Sequence, residues 1–122
     1  MRRVSICCAL VSGLLLAACP GFGDRGPPVL GEVPTWNGEI GPLIVTECAN
    51  CHGVPATNGA PASFRLDVFE TQDGIPGARS QSARILARTR TGQGMPPAGN
   101  LPFEDQALIE AWVDGGAPEG DR

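Results

Sequence analysis

Two thiols and one imidazole stand together in the segment Cys48-Ala49-Asn50-Cys51-His52, and His52 is the only histidine of the 122-residue chain. Two cysteines three positions apart lie on the same side of a helical turn, so both sulfurs can react with one flat partner. Cys-x-x-Cys-His is the attachment signature of c-type haem, whose vinyl groups take up the thiols and whose iron binds the histidine. The segment therefore predicts one covalently bound haem c, with Cys48 and Cys51 as thioether residues and His52 as proximal iron ligand.

Three other chemistries use a Cys-x-x-Cys pair: a dithiol redox centre, a structural disulfide and one half of a zinc site. A thioredoxin-like centre needs a βαβ setting, which the sequence does not indicate, and a disulfide across two residues is usually strained or catalytic. Zinc needs further ligands, and the remaining cysteines, Cys7, Cys8 and Cys19, lie in or directly after an N-terminal apolar segment. Haem is therefore the expected partner of the motif, and these three chemistries are its alternatives.

Few residues of the chain could be a second axial ligand of a haem iron, because it has no other histidine, no lysine and no tyrosine. Met95 is the only methionine besides Met1, and it precedes two prolines in a segment rich in glycine and proline. Pro96 favours extended backbone at Met95, and the two prolines stiffen the loop that presents the sulfur. A lone methionine is more often a filler of the core, but beside a haem motif we expect Met95 to be the second axial ligand. Two protein ligands on the iron indicate electron transfer and a raised reduction potential.

The N-terminal segment predicts export and lipid anchoring. Residues 1–18 have the charged start Arg2-Arg3 and an apolar stretch too short to span a bilayer, as in a signal peptide. The stretch ends in Leu-Ala-Ala-Cys, which resembles a bacterial lipobox with Cys19 as the acylated first mature residue. Residues 19–34 are rich in proline and glycine and are typical of a tether. We therefore expect the protein at the periplasmic side of a bacterial membrane, with an ordinary cleavage site or twin-arginine export as alternatives.

The composition predicts one small domain with long irregular connections, because the chain contains 17 glycines and 12 prolines. Such a domain buries little apolar surface by itself, so a large apolar cofactor would supply part of its core. The formal net charge is −4, and all nine positive residues are arginines without a basic run. Nucleic acid is therefore not an expected partner. A protein partner that docks by charge should present a basic surface.

Three helices can be placed from the sequence. Thr35 is a candidate N-cap for a helix that leads into the haem motif, with Pro42 bending it or marking its true first turn. A second helix opens at Ser80 or Ser82. The last helix has the clearest period, acidic residues in its first turn and Gly115 as its stop. Its apolar face consists of Leu108, Ile109, Trp112 and Val113, and its first-turn acids are Glu104 and Asp105.

Six short motifs follow one another along the predicted domain. They are Trp36-x3-Ile40-x-Pro42, Cys48-x2-Cys51-His52-Gly53, Phe64-Arg65-Leu66-Asp67, Arg84-Ile85-Leu86, Met95-Pro96-Pro97 and Leu108-Ile109-x2-Trp112-Val113-Asp114-x-Gly116-Ala117. With them, residues 35–118 resemble a class I cytochrome c domain, in particular the small bacterial mono-haem forms, and residues 119–122 are a tail. The resemblance implies an all-α fold of three to four short helices around the haem. The first and last helices would cross, and an exposed haem edge would serve as the electron port.

The resemblance also implies roles for residues outside the two ligand motifs. The carbonyl of Pro61 is the expected partner of the His52 ring, and Arg65 and Arg84 are candidates for pairing with the haem propionates. Trp36 and Trp112 are expected to pack between helices.

A single-electron carrier that exchanges electrons with a donor and an acceptor redox protein is the expected function. It would not be an enzyme, and it would need no small-molecule substrate. The alternatives are a haem-based gas sensor or ligand-binding protein, and a haem subunit of a larger membrane-associated dehydrogenase or oxidase.

Overall fold

The computed structural model describes residues 31–121 of the chain, and their regular secondary structure is helical. The elements are a π-helical turn Trp36–Ile40, α1 Gly41–Glu47, α2 Ala49–His52, α3 Ser82–Thr89 and α4 Phe103–Asp114. The described residues form no strand beyond an isolated bridge between Gln72 and Ile75. This part of the chain is therefore all-α, as predicted.

The N-terminal predictions fall largely outside the described residues. The signal peptide 1–18, the acylation site Cys19 and all but the last residues of the tether 19–34 belong to the part without a structural description. No helix within residues 31–121 has the length and apolar character needed to cross a membrane.

The helix predicted to start at Thr35 is divided into two segments. The backbone N–H of Gly38 donates to Thr35 Oγ1 at 3.1 Å, and the N–H of Thr35 donates to the Glu39 carboxylate at 3.0 Å. This reciprocal pair satisfies two N–H groups at the helix start. Gly41 closes the π-helical turn by donating to the Trp36 carbonyl, and Pro42 then lies in the first turn of α1, where a missing N–H costs little. Pro42 thus marks the true start of the α-helix.

The core joins the two ends of the domain. The ring centroids of Trp36 and Trp112 lie 6.3 Å apart, and both side chains are buried. The carbonyl of Pro118 accepts from the backbone N–H of Trp36 at 3.0 Å and from the indole N–H of Trp112 at 3.1 Å. The buried apolar residues are Trp36, Ile40, Leu43, Ile44, Phe64, Leu66, Phe69, Ala78, Ile85, Leu101, Ile109, Trp112 and Ala117. Both tryptophans are packing residues, as predicted.

Helices α3 and α4 pack against each other and complete the domain. α3 begins at Ser82, one of the two predicted starts, and the buried hydroxyl of Thr89 donates to the Ile85 carbonyl at 2.9 Å. α4 starts after Pro102 without a side-chain cap and ends at Asp114, with Gly115 as its C-cap. Its Gln106 side chain accepts from the backbone N–H of Thr91 at 3.1 Å, which ties the segment after α3 to α4. These bonds place the Met95 loop between two fixed helices.

Candidate functional site

A cavity of about 300 Å³ lies beside α2, α3 and the Met95 loop. Its wall is largely apolar and includes Phe64, Leu66 and Ile85. The structure brings six of the seven site residues predicted within residues 31–121 to this wall, and Arg65 is the exception. The six are Cys48, Cys51, His52, Pro61, Arg84 and Met95.

The two thiols are positioned by the short helix α2. The N–H groups of Cys51 and His52 both donate to the Cys48 carbonyl, at 3.1 and 2.9 Å. Both cysteines are half-buried free thiols. Burial, then the negative charge of Glu47 and the neighbouring Cys51, raises the pKa of Cys48 to about 11. Cys48 is therefore not the low-pKa thiolate that attacks in a dithiol redox centre.

Asn58 contacts the motif from the loop that follows it. Its side-chain amide donates to the Cys51 sulfur at 3.3 Å. Asn58 has a φ of 51° and the next residue, Gly59, has a φ of 77°, so the chain turns tightly here. Sequence analysis did not identify this contact, although Asn-Gly is a turn signal.

His52 is held by ring packing. Its imidazole stacks on the ring of Phe64 with centroids 4.9 Å apart and planes inclined by 21°. Its Nδ1 atom is buried and has no hydrogen-bond partner, so the bond predicted to the Pro61 carbonyl is not formed. Burial, and secondly the positive charge of Arg84, lowers the pKa of His52. The neutral imidazole is therefore favoured, which is the form that binds a metal.

Arg65 lies away from the cavity, in contrast to the role expected for it at the propionates. Its guanidinium forms two parallel hydrogen bonds to the Asp67 carboxylate, at 2.8 and 2.5 Å. These bonds hold the pKa of Asp67 below its ordinary value. The two residues are two positions apart in sequence and both half-buried, so Asp67 is a nearby partner for the Arg65 guanidinium. Bidentate pairing occupies the planar guanidinium.

Arg88 lines the cavity although sequence analysis did not select it. It stands four residues after Arg84 on α3, and positions i and i+4 share one face of a helix. The same spacing rule, applied to α3, would have selected it. Two cations on the cavity side suit an anionic partner there.

Met95 also lies at the cavity, beside Pro96 and Pro97, and its side chain is 37% exposed. The loop around it is braced internally, because the N–H of Gly92 donates to the Asn100 side chain at 3.0 Å and the N–H of Gly99 donates to the Pro96 carbonyl at 3.2 Å. The thioether is thus presented from an irregular segment with its own hydrogen bonds.

These residues fit the chemistry of a c-type haem. Two free thiols, a neutral imidazole with an unpartnered buried nitrogen and a thioether share one apolar cavity. A buried polar atom without a partner is costly, so a group that binds or orients the imidazole would relieve that cost. Residues 31–121 contain no group of three or more His, Cys, Asp or Glu side chains that could hold a metal ion, as the zinc alternative would need.

Comparison of the chain with protein families, with curated proteins and with solved structures finds no match.

Proposed function

We propose that this chain is a mono-haem c-type cytochrome that carries single electrons. One juxtaposition supports the proposal: Cys48, Cys51, His52 and Met95 all border the same apolar cavity, although Met95 is more than 40 residues away in sequence. The donor set matches the two thioethers and two axial ligands of a His/Met cytochrome. When bound, the haem supplies a one-electron iron couple.

Each of these side chains has a defined task in the proposal. Cys48 and Cys51 form the thioether links, and His52 is the proximal ligand whose ring orientation is fixed by Phe64. Met95 is the second axial ligand. If His52 and Met95 both bound the iron, no open position would remain for a substrate, so we propose a carrier and not an enzyme.

Two arginines of α3 supply positive charge at the cavity. Neither Arg84 nor Arg88 forms a salt bridge within the described residues, and both line the cavity. Guanidinium groups pair well with carboxylates, so we assign Arg88 to the haem propionates, while the guanidinium of Arg84 lies over the Phe64 ring. Arg65 is not assigned to the propionates, because Asp67 already engages it.

The location and the partners follow from the N-terminal segment and the charge. Acylation at Cys19 would anchor the protein at the periplasmic side of a bacterial membrane, with residues 19–34 as a tether between anchor and domain. A net charge of −4 favours donor and acceptor redox proteins with basic docking surfaces. No small-molecule substrate is expected.

Optical redox titration of the exported protein tests the carrier function. We expect one reversible one-electron transition, and a reduced native protein that does not bind carbon monoxide at neutral pH because Met95 occupies the iron. Ready binding of carbon monoxide would contradict Met95 ligation and favour a gas sensor. Stable co-purification with a dehydrogenase or oxidase in mild detergent would instead identify a haem subunit.

A further inference from the structure

Arg84 and His52 both contact the ring of Phe64 at the cavity wall. The guanidinium carbon of Arg84 lies 5.1 Å from the centroid of the Phe64 ring, and that ring stacks on the His52 imidazole at 4.9 Å. Phe64 is buried, with 9% of its surface exposed. A cation within about 6 Å of an aromatic face is attracted to it. The Phe64 ring therefore holds the cation near the imidazole.

The charge of Arg84 is not cancelled by a carboxylate. Of the five arginines in the described residues, Arg65, Arg79 and Arg90 form salt bridges, with Asp67, Glu70 and Glu110. Arg84 forms none there. Among the described residues, Glu47 is the only one with a carboxylate on the cavity wall, and it lies beside Cys48 at the start of the motif.

We infer that the positive charge of Arg84, which is held over Phe64, raises the reduction potential of a haem bound at His52. The inference rests on the proposed function. Reduction adds one electron to ferric iron and lowers the positive charge of the site by one, with no proton needed. A fixed cation nearby disfavours the ferric state.

Neutralising the cation is the first test. In R84Q the midpoint potential should fall, with the ferric-to-ferrous ratio at a fixed solution potential rising up to about tenfold, or about 59 mV for a one-electron couple. R84K, which keeps the charge, should recover most of the shift. R79Q is the matched control, because Arg79 also lies over a ring, 5.7 Å from the Phe69 centroid, but does not line the cavity.

A double-mutant cycle tests whether Phe64 is needed for the effect. F64L removes the ring, so the R84Q shift measured in the F64L background should shrink to the level of R79Q. F64M is the second ring-free variant where F64L does not retain haem. In the apoprotein, F64L should also remove the ring-current shift of the His52 ring protons in NMR spectra, which reports on the stacking of His52 on Phe64 without any haem.

An R84Q shift no larger than that of R79Q, or equal R84Q shifts with and without the Phe64 ring, would overturn the inference. Those results leave the proposed function intact if the visible spectrum stays that of a His/Met haem. A wild-type chain that takes up no covalent haem overturns both.

Discussion

The backbone carbonyl of His52 accepts a hydrogen bond from the N–H of Leu66 at 2.7 Å, so the loop after the Cys-x-x-Cys-His motif is fastened to the motif itself. This bond brings Phe64, two residues before Leu66, against the imidazole. The orientation of the predicted iron ligand therefore depends on a loop contact as well as on helix α2. It does not depend on a hydrogen bond to His52 Nδ1, which has no partner.

Replacing Met95 with leucine should open one axial position of the iron. In M95L the covalent haem is kept, the reduction potential falls because the thioether no longer favours ferrous iron, and the reduced protein binds carbon monoxide at neutral pH. Optical titration and carbon monoxide difference spectra measure both effects. F103L is the control, because Phe103 is 83% exposed and does not line the cavity. A reduced M95L protein that stays inert to carbon monoxide would exclude Met95 as the ligand.

Replacing Asp67 with asparagine should make stability less sensitive to acid. Hydrogen bonds from Arg65 lower the pKa of Asp67, so the folded state holds the charged form more firmly than the unfolded state does. The stabilisation is present above the unfolded pKa of about 3.9 and is lost as the pH falls through the lower folded value. D67N should therefore be less stable than wild type at neutral pH. The difference in the free energy of unfolding between the two proteins should disappear below about pH 4.

Denaturant unfolding at a series of pH values measures this difference. E70Q is the control, because the salt bridge between Glu70 and Arg79 is exposed on both sides, at 59% and 56%, and such pairs contribute little. A D67N difference that stays constant down to low pH would mean that the carboxylate is not the stabilising group.

Replacing Thr35 with alanine should destabilise the start of the first helix. The hydroxyl accepts from the N–H of Gly38 at 3.1 Å, and loss of such a cap costs about 1 kcal/mol. Chemical denaturation of T35A measures the loss. T46A is the matched control, because the Thr46 hydroxyl only donates to the Pro42 carbonyl within the helix. Equal stabilities of T35A and T46A would show that the cap contributes nothing.

Replacing Cys19 with serine should release the protein from the membrane. C19S removes the sulfur that takes the lipid, so the haem protein should move from the membrane fraction to the soluble or unprocessed fraction, and the mass of the acyl chains should disappear. Fractionation and mass spectrometry measure both changes. Lipid-free wild-type protein would contradict the lipobox interpretation.

Local patterns predicted the helical elements and the site at α2, because caps, helical periods and the Cys-x-x-Cys-His spacing act within a few residues. The division of the first helix at Gly41 depends on where Pro42 can sit, which the sequence left open between a bend and a first turn. The contacts of Phe64 and Arg65 could not be predicted in the same way. They depend on how an irregular loop packs against α2 and α3, and residues 64–69 have no period that would place their side chains.

The mass of the denatured protein after export, read together with its visible spectrum, tests the central claim most directly. We predict one haem mass that survives denaturation in the wild-type chain, still attached through a single thioether in C48A and in C51A, and lost on denaturation when both cysteines are replaced. A denatured wild-type chain without the haem mass, in cells that attach haem to other c-type proteins, would contradict the account.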